Sequence, residues 1–362
     1  MKKLRWGILS AASIARKNWK AIHQSGSSVV TAVAARDSLR AAEFVRDCQS
    51  ACPFATAPMV FNDYEQVLHS PEVDAVYVPL PTGLRKEWVI RAAQAGKHVL
   101  CEKPCAVNIG DLHAMTSACE RAGVQFMDGV MFMHNNRLPL LRSTLDDAEG
   151  FGNIRRINSN YSFLAPEGFM DSDIRANKVL EPMGCLGDLG WYCVRFSLWA
   201  MRWQMPVRVQ AHMLNQHAGV PTEFSGELLF SGGVTAAFYC SFVANIEQIT
   251  NVIGSKACVE FTDFVLPLTT EETAYDVRQN SISTNGMAWQ VETRLKRAST
   301  GQRGNDSTHA QEANMFRNFA AQVQTGTLRH EWPAQALKTQ SVVDACLESA
   351  NSAGKIVVLQ KD

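Results

Sequence analysis

The first 130 residues alternate between short apolar runs and helical patterns, and this alternation limits the possible folds more than any other feature. Apolar runs occupy residues 29–35, 73–80, 98–101 and 124–127. Between these runs, apolar residues recur three and four positions apart, which is the spacing of one helical face. Apolar strands that alternate with helices form a parallel sheet with helices on both faces. The sequence therefore predicts an α/β fold with a doubly wound parallel sheet.

A second pattern begins near residue 150, where apolar and polar residues alternate over residues 207–213, 224–230, 234–242 and 257–261. This period of two predicts an open, mainly antiparallel sheet with one packed face. We expect that face to pack on a helix near residues 185–203, and the Ser-Gly-Gly sequence at 231–233 to form a hairpin turn. The Phe and Tyr content of the strands favours a homodimer or homotetramer formed through the open face.

The length of 362 residues supports two domains. We place the first domain at residues 1–128 and the second at residues 129–340. We expect the C-terminal helix and tail, residues 341–362, to pack back on the N-terminal domain. The polar composition of residues 295–309 predicts a mobile loop, and the pattern of residues 310–353 predicts helical structure.

The charge balance and the cysteines exclude several classes of function. The chain has 35 Lys and Arg against 35 Asp and Glu, and no run of basic residues reaches five. Nucleic acid and membrane surfaces are therefore poor partners, and no apolar stretch of about 18 residues could span a bilayer. The ten cysteines lack the C-x-x-C spacing of zinc sites. We expect reduced thiols, a cytoplasmic location and no metal.

The stretch GILSAASIA, residues 7–15, lies where a dinucleotide-binding turn normally carries the glycines of G-x-G-x-x-G. Ser10, Ala12 and Ala15 occupy the three glycine positions. Ala12 is small enough for a pyrophosphate to approach a helix N-terminus, Ala15 permits close packing of helix on strand, and Ser13 offers a hydroxyl. An ordinary strand–turn–helix connection explains the same residues.

The end of the second predicted strand bears on the choice of dinucleotide, because the adenosine ribose is recognised there. Arg36 can pair with a 2′-phosphate, which favours NADP. Asp37 can instead reach the ribose hydroxyls, which leaves NAD possible. A solvated loop arginine is the alternative for Arg36.

A candidate catalytic cation follows the strand in LCEKP, residues 100–104. Lys103 comes directly after the strand, so its ammonium lies at the carboxyl edge of a parallel sheet, where ligands bind. The bond between Lys103 and Pro104 is a candidate cis peptide.

The segment GCLGDLGWYCVR, residues 184–195, supplies two further polar groups. Asp188 and Tyr192 are four residues apart, which places them on one face of a helix. The glycines at every third position of this segment leave a surface that a flat group can approach closely. A core helix whose tyrosine hydroxyl has found a partner explains the segment equally well.

Together these segments resemble the Gfo/Idh/MocA oxidoreductase family. The matching stretches are RWGILSAASIA, VAARD, VDAVYVPLPTGLRKEWV, HVLCEKP and DLGWY, in the order and spacing of the family. Within the family, the chain is similar to the NADP-dependent branch that contains D-xylose dehydrogenase and dimeric dihydrodiol dehydrogenase. That branch also has arginine after the second strand, and tyrosine where inositol dehydrogenases carry histidine.

The resemblance implies an N-terminal Rossmann domain and a C-terminal α/β domain with an open sheet. It implies hydride transfer between NADP and a hydroxyl-bearing carbon of a sugar, such as the aldopyranoses xylose or glucose, or of a related cyclic polyol. Lys103, Asp188 and Tyr192 form the implied catalytic set. Tyr192 takes the hydroxyl proton, Lys103 stabilises the phenolate, and Asp188 keeps Lys103 protonated or holds a neighbouring hydroxyl.

The remaining site residues follow from the loops above and from the resemblance. The expected cofactor contacts are Ser10, Ala12, Ser13, Ile14, Arg36, Leu80, Pro81, Thr82, Arg85, Glu102, Lys103 and Trp191. The family commonly has Asn and His where this chain has Thr82 or Gly83 and Arg85. Arg175 and His134, the latter with Arg137, join the catalytic set as expected substrate contacts, although a structural salt bridge or helix cap explains each equally well.

Two other functions remain open. A trans-dihydrodiol dehydrogenase is the alternative enzyme. A non-catalytic NADP-binding regulatory protein is the alternative of another class, because fold alone does not specify chemistry. The intact set of Lys103, Asp188 and Tyr192 favours an enzyme, since a pure sensor has no chemical need for it.

Overall fold

In the computed structural model, which describes residues 2–268, 271–303 and 307–359, the chain folds into two units. The first unit contains the described residues up to 134, the segment 177–182, and residues 307–341. The second unit contains residues 135–176, the described residues of 183–305, and residues 342–359.

The first unit is built on a six-stranded parallel sheet with the strand order β3-β2-β1-β4-β5-β6. Its strands are β1 Leu4–Leu9, β2 Ser28–Ala34, β3 Met59–Phe61, β4 Ala75–Val78, β5 His98–Cys101 and β6 Phe126–Asp128. The helices between them are α1 Ser13–Ser25, α2 Ser38–Ala51, α3 Tyr64–Leu68, α4 Thr82–Gln94 and α5 Ile109–Arg121. The strand order reverses between β1 and β4, and ligands of such sheets bind at the carboxyl ends of these strands. The predicted doubly wound parallel sheet is thereby confirmed.

Two C-terminal helices complete the first unit, and they follow the second sheet in the chain. These are α9, Gln311–Gln324, and the first part of α10, Glu331–Asn351. The indole of Trp6 on β1 packs 5.1 Å from the rings of both Phe316 and Phe319 on α9. Because α9 covers the buried indole of Trp6, the first unit extends beyond the predicted residues 1–128.

The second unit is built on a ten-stranded mixed sheet with the order β15-β14-β13-β12-β7-β10-β9-β8-β16, with β11 paired to β7. Its strands are β7 Ile154–Leu164, β8 Arg208–His217, β9 Val220–Leu229, β10 Thr235–Ser241, β11 Val243–Glu247, β12 Thr250–Gly254, β13 Cys258–Phe261, β14 Glu272–Asn285, β15 Ala288–Arg303 and β16 Val357–Val358. Its helices are α6 Arg137–Leu145, α7 Phe169–Ser172, α8 Trp191–Ala200 and the last part of α10. The strand pairs are antiparallel, except that β10 runs parallel to β7.

The helix α8 packs on β7 and β10, as the sequence pattern predicts. The turn at Ser231–Gly233 joins β9 and β10 into the predicted antiparallel hairpin. The expected open, mainly antiparallel sheet is therefore present in the second unit.

Two C-terminal expectations differ from the structure. Most of residues 295–309, expected as a loop, belongs to β15, because each residue from 288 to 299 pairs in register with β14. Residues 296–303 of this strand are mostly polar, so no apolar period marks that part as a strand in the sequence; residues 304–306 lie outside the described residues. The tail after residue 341 joins the second unit instead of the N-terminal domain, since Val357 pairs with Val209 and the Ser349 hydroxyl accepts the Ala211 N–H at 2.9 Å.

Within the described residues, no helix is long and apolar enough to cross a bilayer, and no cluster of three or more metal-ligating side chains is present. All ten cysteines are free thiols, and most of them are buried.

The pH dependence of stability should carry a contribution from His98, at the start of β5. Its Nδ1 accepts the N–H of Gln125 at 2.9 Å, so the ring is neutral with its proton on Nε2. Burial lowers the pKa of His98, and the charge of Asp74 opposes this only in part. The folded state therefore resists protonation, and the contribution is fully present above the unfolded pKa of about 6.5 and is lost as pH falls below it.

We expect His98→Asn, whose amide oxygen can accept the same N–H, to reduce the fall in Tm between about pH 7.5 and pH 5 relative to the wild type. Thermal unfolding across this range measures the effect, with His309→Asn at an exposed position as the matched control. Parallel Tm curves for wild type and His98→Asn would contradict the assignment.

Candidate functional site

The turn after β1 keeps the backbone of a glycine turn with a serine in place of the glycine. Ser10 has a φ of 137°, a conformation that non-glycine residues rarely adopt. Holding a side chain there costs about 1–3 kcal/mol, which the surrounding structure must offset. Such local strain is concentrated at functional sites. Ser10 thus occupies the first glycine position both in the sequence and in its backbone geometry.

The N-terminus of α1 has no side-chain cap among the described residues, although other helices of the first unit are capped. Asp37, Asp63 and Asn108 accept backbone N–H groups at the starts of α2, α3 and α5. At α1, the preceding residue is Ala12, and the first helical residues are exposed. A 13-residue helix that begins at the carboxyl edge of β1 with uncapped N–H groups fits the pyrophosphate of a dinucleotide.

The two candidate residues after β2 have different roles. The Asp37 carboxylate accepts the N–H of Leu39 at 2.9 Å and caps α2. The side chain of Arg36 is exposed beside it. Because the carboxylate serves the helix, Arg36 is the better placed of the two to meet the ribose substituent.

Arg85 connects the loops that follow β4 and β5. Its side chain is buried, with 6% exposed, and its Nε donates to the Leu80 carbonyl at 2.6 Å. Its Nη1 donates to the Thr82 hydroxyl at 3.0 Å and to the Pro104 carbonyl. This guanidinium holds two protein loops together, and its direct contact with a cofactor stays a prediction.

Thr82, at the start of α4, is also engaged by the protein. Its hydroxyl donates to Glu181 Oε2 at 2.6 Å, and its N–H donates to Glu181 Oε1 at 2.9 Å. The next N–H, from Gly83, donates to the Leu180 carbonyl at 2.9 Å. The Glu181 carboxylate therefore accepts two hydrogen bonds at this helix N-terminus, while Pro81 before it is partly exposed. A cofactor contact at Thr82 stays a prediction.

Lys103 follows β5 directly, on a backbone that is fixed on both sides. Its N–H donates to Glu102 Oε2 at 3.2 Å, and its bond to Pro104 is cis, as the sequence suggested. On the far side, the Pro104 carbonyl accepts from Arg85, and the Thr82 hydroxyl oxygen lies 3.3 Å from it. The protein thus sets the position of the Lys103 backbone from both directions.

Glu102 is a buried anchor beneath this loop. Its Oε1 accepts the Tyr77 hydroxyl at 2.6 Å and the Asn18 amide at 3.3 Å. Burial, together with the neighbouring Glu102, raises the pKa of Tyr77 well above its ordinary value, so the phenol stays protonated and donates. These bonds join α1, β4 and the end of β5.

The second unit holds the other polar cluster, formed by Tyr161, Arg175, Asp188 and Tyr192. Asp188 lies in a π-helical turn, Leu186–Gly190, that leads into α8. Its Oδ2 is 3.1 Å from Arg175 Nε, and Arg175 also pairs with Asp173 at 3.3 Å. The expected substrate residues Arg175 and Asp188 are thus an ion pair, the structural alternative that the sequence left open for Arg175.

Tyr192 stands one turn after Asp188, in the first turn of α8. Its ring is 5% exposed and packs edge-to-face on Tyr161, with 5.6 Å between the ring centroids. Burial raises the pKa of Tyr161, and the negative charge of Asp188 raises it further. The cluster thus combines two phenols with a carboxylate–guanidinium pair, which is a set of groups able to bind adjacent hydroxyls.

The glycines of this segment serve the packing of the second unit. Gly184 has a φ of 47°, and a side chain there would overlap the Pro221 carbonyl on β9. A side chain at Gly190 would lie 3.2 Å from the Cys240 sulfur on β10. The surface that packs closely against Gly184 and Gly190 is therefore the sheet of the second unit. We had expected a bound ligand to approach these glycines.

Three other expected contacts are engaged in packing. Trp191 is fully buried in the second unit, with its ring 5.8 Å from the Arg195 guanidinium carbon, so its side chain presents no surface to a cofactor. His134 lies in the first unit with its Nδ1 3.0 Å from the Asn318 amide. Arg137 is buried against Asp263 at 2.5 Å. Within the second unit, the contacts of Trp191 and Arg137 are therefore packing contacts, and the role of His134 in substrate binding stays a prediction.

The sequence analysis missed four residues that surround these groups: Asn18, Tyr77, Tyr161 and Glu181. Asn18 and Tyr77 interrupt apolar patterns with polar groups, and this is the signal that could have identified them. Tyr161 lies on the buried side of β7, so in the sequence it looks like an ordinary core residue. Glu181 reaches Thr82 across 99 residues of sequence, so no local pattern could indicate it.

Comparisons with known proteins agree with this architecture. The family model described as the oxidoreductase family with an NAD-binding Rossmann fold matches residues 4–130. The model of the GFO/IDH/MocA C-terminal domain matches residues 142–260.

Similar proteins of known name include two dehydrogenases. The chain is 34% identical over 241 residues to D-xylose 1-dehydrogenase (NADP(+)) 2 of Haloferax volcanii, over 66% of this chain and 70% of that protein. It is 30% identical over 268 residues to trans-1,2-dihydrobenzene-1,2-diol dehydrogenase of Sus scrofa, over 72% of this chain and 74% of that protein.

Among solved structures, the 3-ketoreductase KijD10 of Actinomadura kijaniata in complex with NADP and TDP-benzene superposes with a TM-score of 0.80. It is 24% identical, and the match covers 96% of this chain and 98% of that chain. This likeness supports the fold. Both family models match the chain in order, and the alignments with the two dehydrogenases cover about 70% of each of those proteins. The chain therefore belongs to the Gfo/Idh/MocA oxidoreductase family.

Proposed function

We propose that this oxidoreductase uses NADP and oxidises a hydroxyl-bearing carbon of a sugar, an aldopyranose such as xylose or glucose, or a related cyclic polyol. Two features support the cofactor: the exposed Arg36 at the end of β2, and the commitment of Asp37 to the cap of α2. The named cofactor of the D-xylose dehydrogenase relative points the same way. NAD is the alternative cofactor.

The observation that carries the substrate proposal is the cluster on β7, the π-helical turn and α8. The Asp188–Arg175 ion pair, at 3.1 Å, offers an acceptor and a donor side by side. Tyr192 adds a phenol one turn away, next to Tyr161. A polyhydroxylated ring presents adjacent hydroxyls that can donate to the carboxylate and accept from the guanidinium at once.

A bound nicotinamide would supply the hydride acceptor, so the protein must orient the substrate and move one proton. We assign the proton to Tyr192, which takes it from the substrate hydroxyl. An ordinary tyrosine has a pKa of about 10, and a base at neutral pH needs about 4 kcal/mol of preference for the phenolate. An ammonium within a few ångströms in a low-dielectric site supplies energy on this scale, and we assign that role to Lys103.

Asp188 is proposed to hold a substrate hydroxyl, with Arg175 fixing the orientation of its carboxylate. The pyrophosphate is proposed to lie at the N-terminus of α1, near Ala12, Ser13 and Ile14. Ile14 is 42% exposed in this first turn. The loops of the cofactor site are proposed to bind the dinucleotide through their backbone conformation, at Ser10, Leu80, Pro81 and Glu102.

A trans-dihydrodiol dehydrogenase is the second candidate. The edge-to-face pair of Tyr161 and Tyr192 offers an aromatic wall that suits a flat, unsaturated ring. The similarity to the dihydrodiol dehydrogenase of Sus scrofa supports the same activity. A non-catalytic NADP-binding regulator fits less well, since it has no chemical use for Lys103, Asp188 and Tyr192.

We further propose that the chain forms a homodimer or homotetramer through the open face of the second sheet. The ten free thiols favour a reducing, cytoplasmic location. The primary test of function is an assay with a panel of aldopyranoses, polyols and a trans-dihydrodiol, each with NADP and with NAD. Reduction of NADP by a sugar is the expected result, and turnover of no substrate on the panel would contradict the enzymatic proposal.

Replacement of Lys103 by methionine tests its catalytic role. We expect Lys103→Met to lower kcat by at least about 10²-fold, because the phenolate loses its stabilising charge. The Kd for NADP should stay within a few-fold of the wild type. Lys86→Met, at a half-exposed position of the same unit, is the matched control with unchanged kcat. Turnover by Lys103→Met within a few-fold of wild type would remove Lys103 from the mechanism.

Replacement of Arg36 by alanine tests the choice of cofactor. We expect the Kd for NADP to rise about 10- to 100-fold while the Kd for NAD changes little, because NAD lacks the 2′-phosphate. Fluorescence titration with both nucleotides measures this difference. Arg46→Ala, exposed further along α2, is the control. An equal change for both nucleotides would show that Arg36 does not read the phosphate.

Replacement of Arg85 by lysine tests a positioning role that acts through the loop of Lys103. Lysine keeps the charge but cannot donate to the Leu80 and Pro104 carbonyls at the same time. We expect kcat to fall about tenfold or more, with the Kd for NADP within about threefold, since small displacements of a catalytic group are costly. Arg91→Lys, exposed on the same helix, is the control. A lower Tm with unchanged kcat would identify a purely structural role.

A further inference from the structure

The hairpin of β14 and β15 extends beyond the body of the second sheet. Strand β13 pairs with β14 only over Asp276–Arg278, so residues 279–294 form a two-stranded ribbon with no third strand among the described residues. An isolated two-stranded ribbon is marginally stable in water. Although Gln279 at its base donates to the Gly150 carbonyl, the ribbon would be stabilised further by a surface packed against it.

One face of the ribbon is apolar and exposed. Ile282 lies directly opposite Val291, and Trp289 lies opposite Thr284, so these side chains share a face. Ile282 and Val291 are each 66% exposed, and Trp289 is 73% exposed. The other face carries polar pairs, such as Ser281 opposite Glu292 and Ser283 opposite Gln290. An amphipathic ribbon with its apolar face in solvent marks an interaction surface.

The apolar face of the ribbon continues the open face of the sheet. Arg278 pairs with Cys258 and with Leu295, which places all three on one side of the sheet. Val277 points to the other side, where Val259 is fully buried in the core. In the body of the sheet the open face is mostly polar, with Ile253 as an apolar exception, but in the ribbon the same face carries Ile282, Trp289 and Val291. The polarity of the sheet is thus inverted where the ribbon leaves the core.

The charges of the open face indicate what covers it. They occur as pairs of opposite sign. Arg278 pairs with Glu260 at 3.6 Å and Arg297 with Asp276 at 3.5 Å, each on neighbouring strands, and Arg156 pairs with Glu227 at 2.7 Å across the intervening strand β10. A face of balanced charge does not select a strongly acidic or basic partner. It is complementary to a second copy of itself, as a two-fold interface requires.

The available area also fits a second copy. Eight adjacent strands, from β15 to β8, span about 35 Å at the usual strand spacing, and five residues of each cover about 17 Å, which gives about 600 Å². The ribbon adds about 200 Å², since it is two strands wide and about 23 Å long. The two together reach the roughly 800 Å² per partner of a stable interface.

We propose that the ribbon, residues 279–294, is an arm that packs its apolar face on a second copy of this chain. This inference rests on the homo-oligomer proposed above and deepens it, because it adds to the open sheet a specific contact that stabilises the assembly. The arm buries Ile282, Trp289 and Val291 against the partner, and its polar face remains in solvent.

A combined variant, Ile282→Ser with Trp289→Ser and Val291→Ser, tests the arm. Sedimentation velocity over a range of concentrations measures the dissociation constant of the assembly. We expect the wild type to self-associate and the variant to dissociate at least about 100-fold more readily, since each lost side chain removes a large apolar contact. The matched control, Ser281→Ala with Ser283→Ala and Gln290→Ala, changes the opposite face of the same ribbon and should associate like the wild type.

Hydrogen exchange on the unmodified protein provides a readout that does not depend on folding of the variants. Protection of the ribbon amides should rise with protein concentration as the arm docks. Concentration-independent exchange, or an unchanged dissociation constant in the apolar-face variant, would contradict the proposal that the ribbon packs on a second copy. A monomeric wild type would overturn both the arm and the proposed oligomer. Failure of the sugar panel with an intact, arm-dependent assembly would overturn only the proposed function.

Discussion

The buried carboxylate of Glu102 is the contact on which the first unit's site depends. It accepts hydrogen bonds from Tyr77, Asn18 and the N–H of Lys103, and so ties the ends of two strands to the helix that follows the cofactor turn. Burying a carboxylate is costly unless its oxygens are satisfied, and here both oxygens have donors. Because this requirement fixes the position of each donor, it also fixes where the Lys103 backbone leaves the sheet.

Arg85 performs the complementary task on the other side of the same loop. Its guanidinium bonds two carbonyls and a hydroxyl, and the rigid fork of arginine makes this possible from one buried side chain. The position is therefore better explained by loop geometry than by direct contact with a cofactor. In the second unit, Arg175 holds Asp188 in a similar way, at the half-exposed edge of a cluster of tyrosines.

The sequence predicted the elements that have a strong local signature. Apolar runs alternating with helical patterns indicated the parallel sheet, and the period of two indicated the second sheet. It also located Lys103 after a strand, and Asp188 and Tyr192 one turn apart. It failed where contacts connect distant residues: the Glu181 clamp on Thr82, the packing of α9 on Trp6, and the roles of Trp191 and Arg137 in the core. The second half of β15 was missed because residues 296–303 are mostly polar, so no apolar period of two marks them as a strand.

The sequence by itself determined the fold class and the order of the strands and helices in the first sheet, and it supplied the candidate reactive groups, because periodicity and residue chemistry are local properties. Only the tertiary structure decided which polar side chains serve the protein itself. Asp37 caps a helix, Arg85 and Glu181 join loops, and the glycines near Asp188 admit a strand surface. The reason is physical: a buried donor or acceptor must find a partner, and that partner is chosen by proximity in space and not by distance along the chain.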